Sequence, residues 1–280
     1  MKRLFCVLGM AAALAGCGTA LAPGSSPTMT AQGSSSAAAP SAPGGSVGPS
    51  TTPPLRVVGL GDSYMSAQNA KGQTFMDVYA AELERRLGRP VQLTLTASGD
   101  ATTAKVKESL ATVDSVRTAV ANADVIVLSV GGNDTDPFGV FPKGTCAPKQ
   151  APSACLAAYS PTLVANYEAI LTSIEGLRAG KRTAVRVTSM DDPFVGMPEA
   201  PAKTFARDFF AQVAEAQTQA VFQVAERHGA KPVDYLHVFS GEDGLTDPAK
   251  YLAADHAHPG DLGIQVIAEL LLDLGTPELD

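Results

Sequence analysis

Apolar and polar positions switch between two periods along most of the chain. Leu55 to Leu60 is an apolar run that predicts a buried strand. Phe75 to Leu87 places Phe75, Val78, Tyr79, Leu83 and Leu87 near one helical face. Val91 to Thr96 alternates as a second strand, and Thr102 to Ala121 reads as one helix. Asp124 to Val130, DVIVLSV, is the most strongly apolar strand and so the expected centre of the sheet. A loop from Gly131 to about Ser160 follows, then a helix over Pro161 to Leu177 and a strand over Thr183 to Thr188. The pattern ends with a helix over Ala202 to Arg227, a strand over Lys231 to Val238 and a helix over Gly260 to Leu274. His228 and Gly229 suit the C-terminal cap of the long helix. Five strands joined by helical crossovers predict an α/β fold with a parallel sheet covered on both faces.

Before Leu55 the pattern is different. Lys2 and Arg3 precede a short apolar run, Leu4 to Ala15, that leads into Leu14-Ala15-Gly16-Cys17. The run is too short to span a bilayer. These residues resemble the lipobox of bacterial lipoproteins, which implies removal of residues 1–16 and lipidation of Cys17; an ordinary secretory signal is the alternative. Gly18 to Pro54 has no charge and almost no large apolar side chain, so it cannot build a core and is expected to be a tether. As a flexible coil its reach is roughly 35 Å. Gly44-Gly45-Ser46-Val47-Gly48 matches a serine-hydrolase pattern by letter, but no strand precedes it and no helix follows. The expected organisation is thus a signal (1–16), a lipidated tether (17–54) and one folded domain (55–280), with the protein extracytoplasmic and anchored to a membrane.

Composition narrows the partners. The 280 residues hold 21 Lys and Arg against 28 Asp and Glu, and Lys2 and Arg3 are the only charges before Leu55. The domain is acidic, without the basic stripe that nucleic acid requires. With Cys6 in the signal and Cys17 acylated, Cys146 and Cys155 remain; in an exported protein they are expected to pair, two free thiols being the other reading.

The candidate chemistry lies where strands end. Gly61-Asp62-Ser63 follows the first strand, Ser98-Gly99-Asp100 the second and Gly131-Gly132-Asn133-Asp134 the third; Asp255-His256-Ala257-His258-Pro259 precedes the last helix. In a parallel α/β sheet these blocks fall on one edge, where ligands bind. A serine nucleophile needs an imidazole to take its proton and a carboxylate to orient the imidazole. Asp255 and His258, three residues apart, can reach each other within one turn. The backbone N–H groups of Ser63 and Gly99 and the Asn133 amide are the donor types that a tetrahedral oxyanion needs. Taken singly, each block reads as a turn or a cap. Together, all at strand ends, they point to catalysis.

The four blocks in order resemble the SGNH, or GDSL, hydrolase family of esterases and lipases. The resemblance implies a flavodoxin-like three-layer sandwich, with Ser63 as nucleophile, His258 as base, Asp255 as its partner, and Ser63, Gly99 and Asn133 as oxyanion donors. It implies an ester substrate and no metal or organic cofactor. The chain departs from the pattern in reading GDSY, with Ala67 where many members have glycine, and SGDATT where SGATT is common. His256 is a second candidate base, though His258 has the family's DxxH spacing. Tyr64, Met65, the Asp134 to Cys155 loop and the Asp191 to Pro198 loop with Phe194 and Met197 are expected to wall the substrate pocket, in a protein expected to be a monomer.

Three other readings compete. A dinucleotide-binding domain fails at Tyr64, where a third glycine is needed. A metal-dependent phosphoesterase would use Asp62, Asn133, His256 and His258, leaving the serine unexplained. A glycan- or lipid-binding lipoprotein without turnover would have no need for a full set of catalytic residue types.

Overall fold

The computed structural model describes residues 52–135, 151–190 and 207–279, apart from the side chains of residues 135, 155–159 and 207. Its strands are β1 (Leu55–Gly61), β2 (Val91–Ala97), β3 (Val125–Ser129), β4 (Ala184–Thr188) and β5 (Lys231–Val233). The helices are α1 (Ser63–Ser66), α2 (Phe75–Leu87), α3 (Thr103–Thr112), α4 (Asp114–Asn122), α5 (Gly132–Thr135), α6 (Pro152–Arg178), α7 (Arg207–Arg227), α8 (Leu236–Ser240) and α9 (Asp261–Asp273).

The sheet order is β2-β1-β3-β4-β5 and every pairing is parallel, with β3 in the middle as its apolar sequence predicts. The chain leaves β1 for one side of the sheet and later crosses to the other, so a crevice opens at the carboxyl ends of β1 and β3. Alternation along the strands builds both outer layers. Val58, Leu60, Ile126, Leu128 and Val187 pack with residues of α3, α4, α6 and α7. Val57, Val125, Val127, Ala184 and Val233 pack with residues of α2 and α9. The four β3 side chains from Val125 to Leu128 are fully buried, each worth about 1.5–3 kcal/mol relative to exposure.

Helix α2 has the predicted bounds because both ends are specified locally. Thr74 and Asp77 form a reciprocal capping box, and Gly88 closes the helix with φ 58°. At the end of α7, Gly229 has φ 69°, and the His228 ring lies between Glu168 and Glu175 of α6, 2.7 Å from each.

Three elements differ from the sequence expectation. The single helix over Thr102 to Ala121 is two, because Val113 takes an extended conformation and the Arg117 guanidinium donates to the freed carbonyls of Leu110 and Ala111. The fifth strand stops at Val233: the Asp234 carboxylate accepts the His237 N–H, and Ser189 Oγ accepts the N–H groups of Tyr235 and Leu236, turning the chain into α8. His237 therefore lies on a helix, bonded to Asp234 and paired with Glu215. Helix α6 begins at Pro152, which takes the first-turn position expected of Pro161, and it runs on through Pro161.

Candidate active site

Ser63 is the first residue of α1, directly after β1, and is half-buried. The turn depends on Gly61: a Cβ there would stand 2.5 Å from the carbonyl oxygen of Ser129, so only glycine lets the ends of β1 and β3 approach this closely. The Asp62 N–H donates to that oxygen at 3.1 Å. Asp62 is buried and caps α1 through Oδ1, which accepts the Tyr64 N–H at 3.0 Å, while Oδ2 accepts the Gly131 N–H at 3.2 Å. One carboxylate thus clamps the loop carrying Ser63 to the loop carrying Asn133.

Gly131 has φ 138°, and a Cβ there would meet Met190 Cε at 2.6 Å. That glycine turn leads into α5 and presents Asn133 and Asp134. The Asn133 amide nitrogen donates to the carbonyl oxygens of Ala101 (2.9 Å) and Gly99 (3.2 Å), drawing the exit of β2 against the exit of β3. Asp134 accepts the Thr103 N–H at 2.8 Å and the Thr103 hydroxyl. Thr103 Oγ1 accepts from Asn166 of α6 at 2.9 Å, and Asn166 Oδ1 accepts from Lys107 at 2.6 Å. This polar chain, buried at Thr103 and Asn166, ties α5 to α3 and α6. Gly99 is exposed, with open space where a side chain would stand.

The loop before α9 is a narrow hairpin. Leu252 pairs with Pro259, Ala253 N–H donates to His258 O at 2.8 Å, and Gly260 N–H donates to Tyr251 O at 2.8 Å. At its tip, Asp255 Oδ1 accepts the N–H groups of Ala257 and His258, each at 3.0 Å, and Oδ2 lies 2.7 Å from His258 Nδ1. His256, with φ 58°, makes the tight turn between them and is exposed. Asp255 therefore bonds the ring of His258. With a carboxylate on Nδ1, that nitrogen carries the proton and Nε2 is left as the acceptor.

Electrostatics tie the loops together. Burial pushes the Asp62 carboxyl up from 3.8 to about 6, against the N–H bonds of Tyr64 and Gly131; Asp134 adds to the rise, and the His258 imidazole opposes it. Burial also raises Asp134, against its bonds from Thr103. At Asp255 partial burial works against ionisation, but the N–H bonds of His258 and Ala257 and the His258 ring bring the carboxyl down to about 2.

The structure thus brings Ser63, Gly99 and Asn133 to the ends of three neighbouring strands, and pairs Asp255 with His258 on the hairpin before α9. Ala70 N–H, in the segment after α1, donates to Asp261 Oδ1 at 2.8 Å and holds the start of α9 against that segment. Tyr64 and Met65 are corrected: they are core side chains, 6% and 0% exposed, because Tyr64 stacks on Tyr235 and Met65 fills the space beside Gly59 and Gly61. Phe194, Met197, Cys17, Cys146 and the Cys155 side chain lie outside the described residues. Among the described residues, no group of three or more His, Cys, Asp or Glu is placed to hold a metal ion. A groove of about 550 Å³ between α2 and α9 is lined by Lys71, Glu82, Arg85 and Asp261 among others, but not by Ser63, Asn133 or His258. The Thr103–Asn166 link and the ring stacking on Tyr64 follow no motif and were not legible from the residues alone.

The fold recurs in solved structures. A lipase from a goat rumen metagenome superposes with a TM-score of 0.66 at 22% identity, covering 81% of this chain and all of that one. An extracellular lipase from Streptomyces rimosus gives 0.54 at 21% identity, covering 78% of this chain and 99% of that one. A variant of an acetyl xylan esterase from Geobacillus stearothermophilus gives 0.54 at 16% identity, covering 78% and 93%. No curated protein matches the chain in sequence. Residues 60–266, which hold all four strand-end and hairpin blocks, match the GDSL-like lipase/acylhydrolase family, and the chain belongs to that family of carboxylic ester hydrolases.

Proposed function

We propose that the chain is a serine esterase that cleaves carboxylic esters through an acyl-enzyme, with Ser63, His258 and Asp255 as its triad. The observation that carries this reading is the 2.7 Å contact between His258 Nδ1 and Asp255 Oδ2, which leaves Nε2 to take a proton. Ser63 Oγ attacks the carbonyl carbon as its proton passes to Nε2, and the imidazolium then protonates the leaving alkoxide. Water enters by the reverse sequence and frees the acid. The Ser63 and Gly99 N–H groups and the Asn133 amide stabilise the oxyanion, each worth roughly 3 kcal/mol of barrier. For Asn133 this means exchanging its 3.2 Å bond to Gly99 O for the oxyanion.

The substrate is a lipid, an acylated glycan or a small acyl ester, the classes covered by the lipases and the acetyl xylan esterase that share the fold. The protein is exported and anchored by lipidated Cys17, on the strength of the Leu14–Cys17 sequence; among the described residues no helix is long and apolar enough to cross a membrane. The test is hydrolysis of p-nitrophenyl esters from acetyl to palmitoyl, with and without chelator, beside Ser63→Ala. Turnover that survives chelator and disappears in the variant is expected. Chelator-sensitive turnover that persists in Ser63→Ala would favour the metal-dependent phosphoesterase reading.

A further inference from the structure

Tyr64, the residue after Ser63, begins a column of four aromatic rings. It stacks on Tyr235 with centroids 5.2 Å apart and planes 9° from parallel. Tyr235 meets Phe239 at 5.4 Å and 43°, and Phe239 stacks on Tyr251 at 4.4 Å and 7°. Lys250 Nζ lies 4.6 Å from the Tyr251 centroid. The first ring is therefore one residue from Ser63, and the last stands at the root of the hairpin that holds Asp255 and His258.

Each step of the column is fixed by something besides the stacking. Tyr235 is anchored at the end of β4, where its N–H donates to Ser189 Oγ at 3.1 Å. Phe239 follows one helical turn later, its N–H donating to Tyr235 O at 2.9 Å. Tyr251 is held by the Gly260 N–H, and α9 presses on the column from the side: a Cβ on Gly263 would stand 2.2 Å from Tyr251 O and 3.2 Å from Phe239 Cζ. Asp255 orients the His258 ring within the hairpin, but its bonds are all internal to that hairpin and cannot set the distance to Ser63. The column runs from the residue after Ser63 to the root of that hairpin, beside the Ala70–Asp261 bond that joins the segment after α1 to the start of α9.

We propose that Tyr64, Tyr235, Phe239 and Tyr251 are positioning residues that hold the His258 imidazole in register with Ser63. The proposal rests on the reading of Ser63 as nucleophile and His258 as base. A shift of about 1 Å between reacting groups can cost up to about 100-fold in rate, so loss of one ring is expected to show in turnover if the column sets the hairpin's place. The leucine of the name motif cannot stack, so the tyrosine of GDSY gives this chain a contact that a GDSL sequence lacks.

The experiment compares Phe239→Leu, Tyr251→Leu and Tyr251→Phe with the wild type, measuring kcat and KM on p-nitrophenyl butyrate, Tm, and the imidazole 1H–15N signals of His258. The leucine variants keep apolar bulk and lose the stacking. They are expected to lower kcat by about tenfold or more with KM within about twofold, and to broaden the His258 signals. Tyr251→Phe keeps the stack and is expected to restore wild-type kcat and spectra. Leucine variants that lose Tm but keep both kcat and the His258 signals would overturn the proposal by making the column structural only. Wild-type turnover that survives Ser63→Ala would instead remove the site assignment on which it rests.

Discussion

Asp62 shows how one side chain can hold two loops of the candidate site together. Its two oxygens take N–H bonds from Tyr64 and Gly131, on the two loops that must face each other across the cleft. Asn at this position can accept only through its oxygen, so one bond is lost; Asp62→Asn is expected to lower kcat by about tenfold or more. The raised pKa gives a second readout. Because the native state holds the Asp62 proton up to about pH 6 and the unfolded chain only to about 3.8, the folded protein binds more protons in that window and its stability falls as pH rises through it. The loss amounts to about 3 kcal/mol, and urea unfolding at pH 4, 5, 6 and 7 should show it shrink in Asp62→Asn. Asp255 behaves oppositely. Its depressed pKa gives a stabilisation that is present above 3.8 and lost as pH falls through about 2, so the fall in stability expected between pH 4 and 6 does not come from Asp255. Ser63, Gly99, Asn133, Asp255 and His258 were legible as candidates because each has a chemical purpose at a predictable strand end or helix start. Asp62 was legible as a turn residue and as a ligand in the metal-dependent reading, but not as the clamp between two loops, since its burial and its bond to Gly131 arise from the pairing of distant strands.

At the scale of elements, local signals succeeded where they agreed with the fold and failed where two periods were compatible. Thr74, Asp77 and Gly88 fix α2 from nearest neighbours alone. Val233 to Val238 is apolar enough to read as part of a strand, yet Tyr235, Leu236 and Phe239 also fit one helical face, and Ser189, just past the end of β4, decides the outcome. The C-terminal segment has a comparable long-range partner. Arg186 is fully buried in β4, and its guanidinium pairs with Glu278, with both N···O distances 3.0 Å, and donates to Gly275 O at 2.6 Å. Arg186 and the other partners bring the Glu278 carboxyl down to about 2 although burial opposes this. Glu278→Gln strands a buried cation and is expected to cost about 3 kcal/mol. Arg186→Met with Glu278→Gln should recover most of that loss, as read from denaturant midpoints.

At the scale of the whole molecule, the sheet order places the chemistry. Crossing from β2 to β3 opens the crevice between β1 and β3, and the blocks carrying Ser63 and Asn133 are the segments that leave those two strands. The parallel sheet and its central strand could be read from apolar runs and crossover lengths. The substrate pocket could not, because Tyr64 and Met65 turned inward and the other expected walls are long segments without a period. The proposed anchoring is tested at this scale as well: Cys17→Ser is expected to abolish incorporation of labelled palmitate and to release the protein from the membrane fraction, with esterase activity kept. The most direct measurement of the central claim is intact-mass and peptide analysis after reaction with a fluorophosphonate ester. One adduct per chain on the peptide containing Ser63, formed much more slowly in His258→Asn, is the predicted result. Full ester turnover with no adduct on Ser63 would contradict the account.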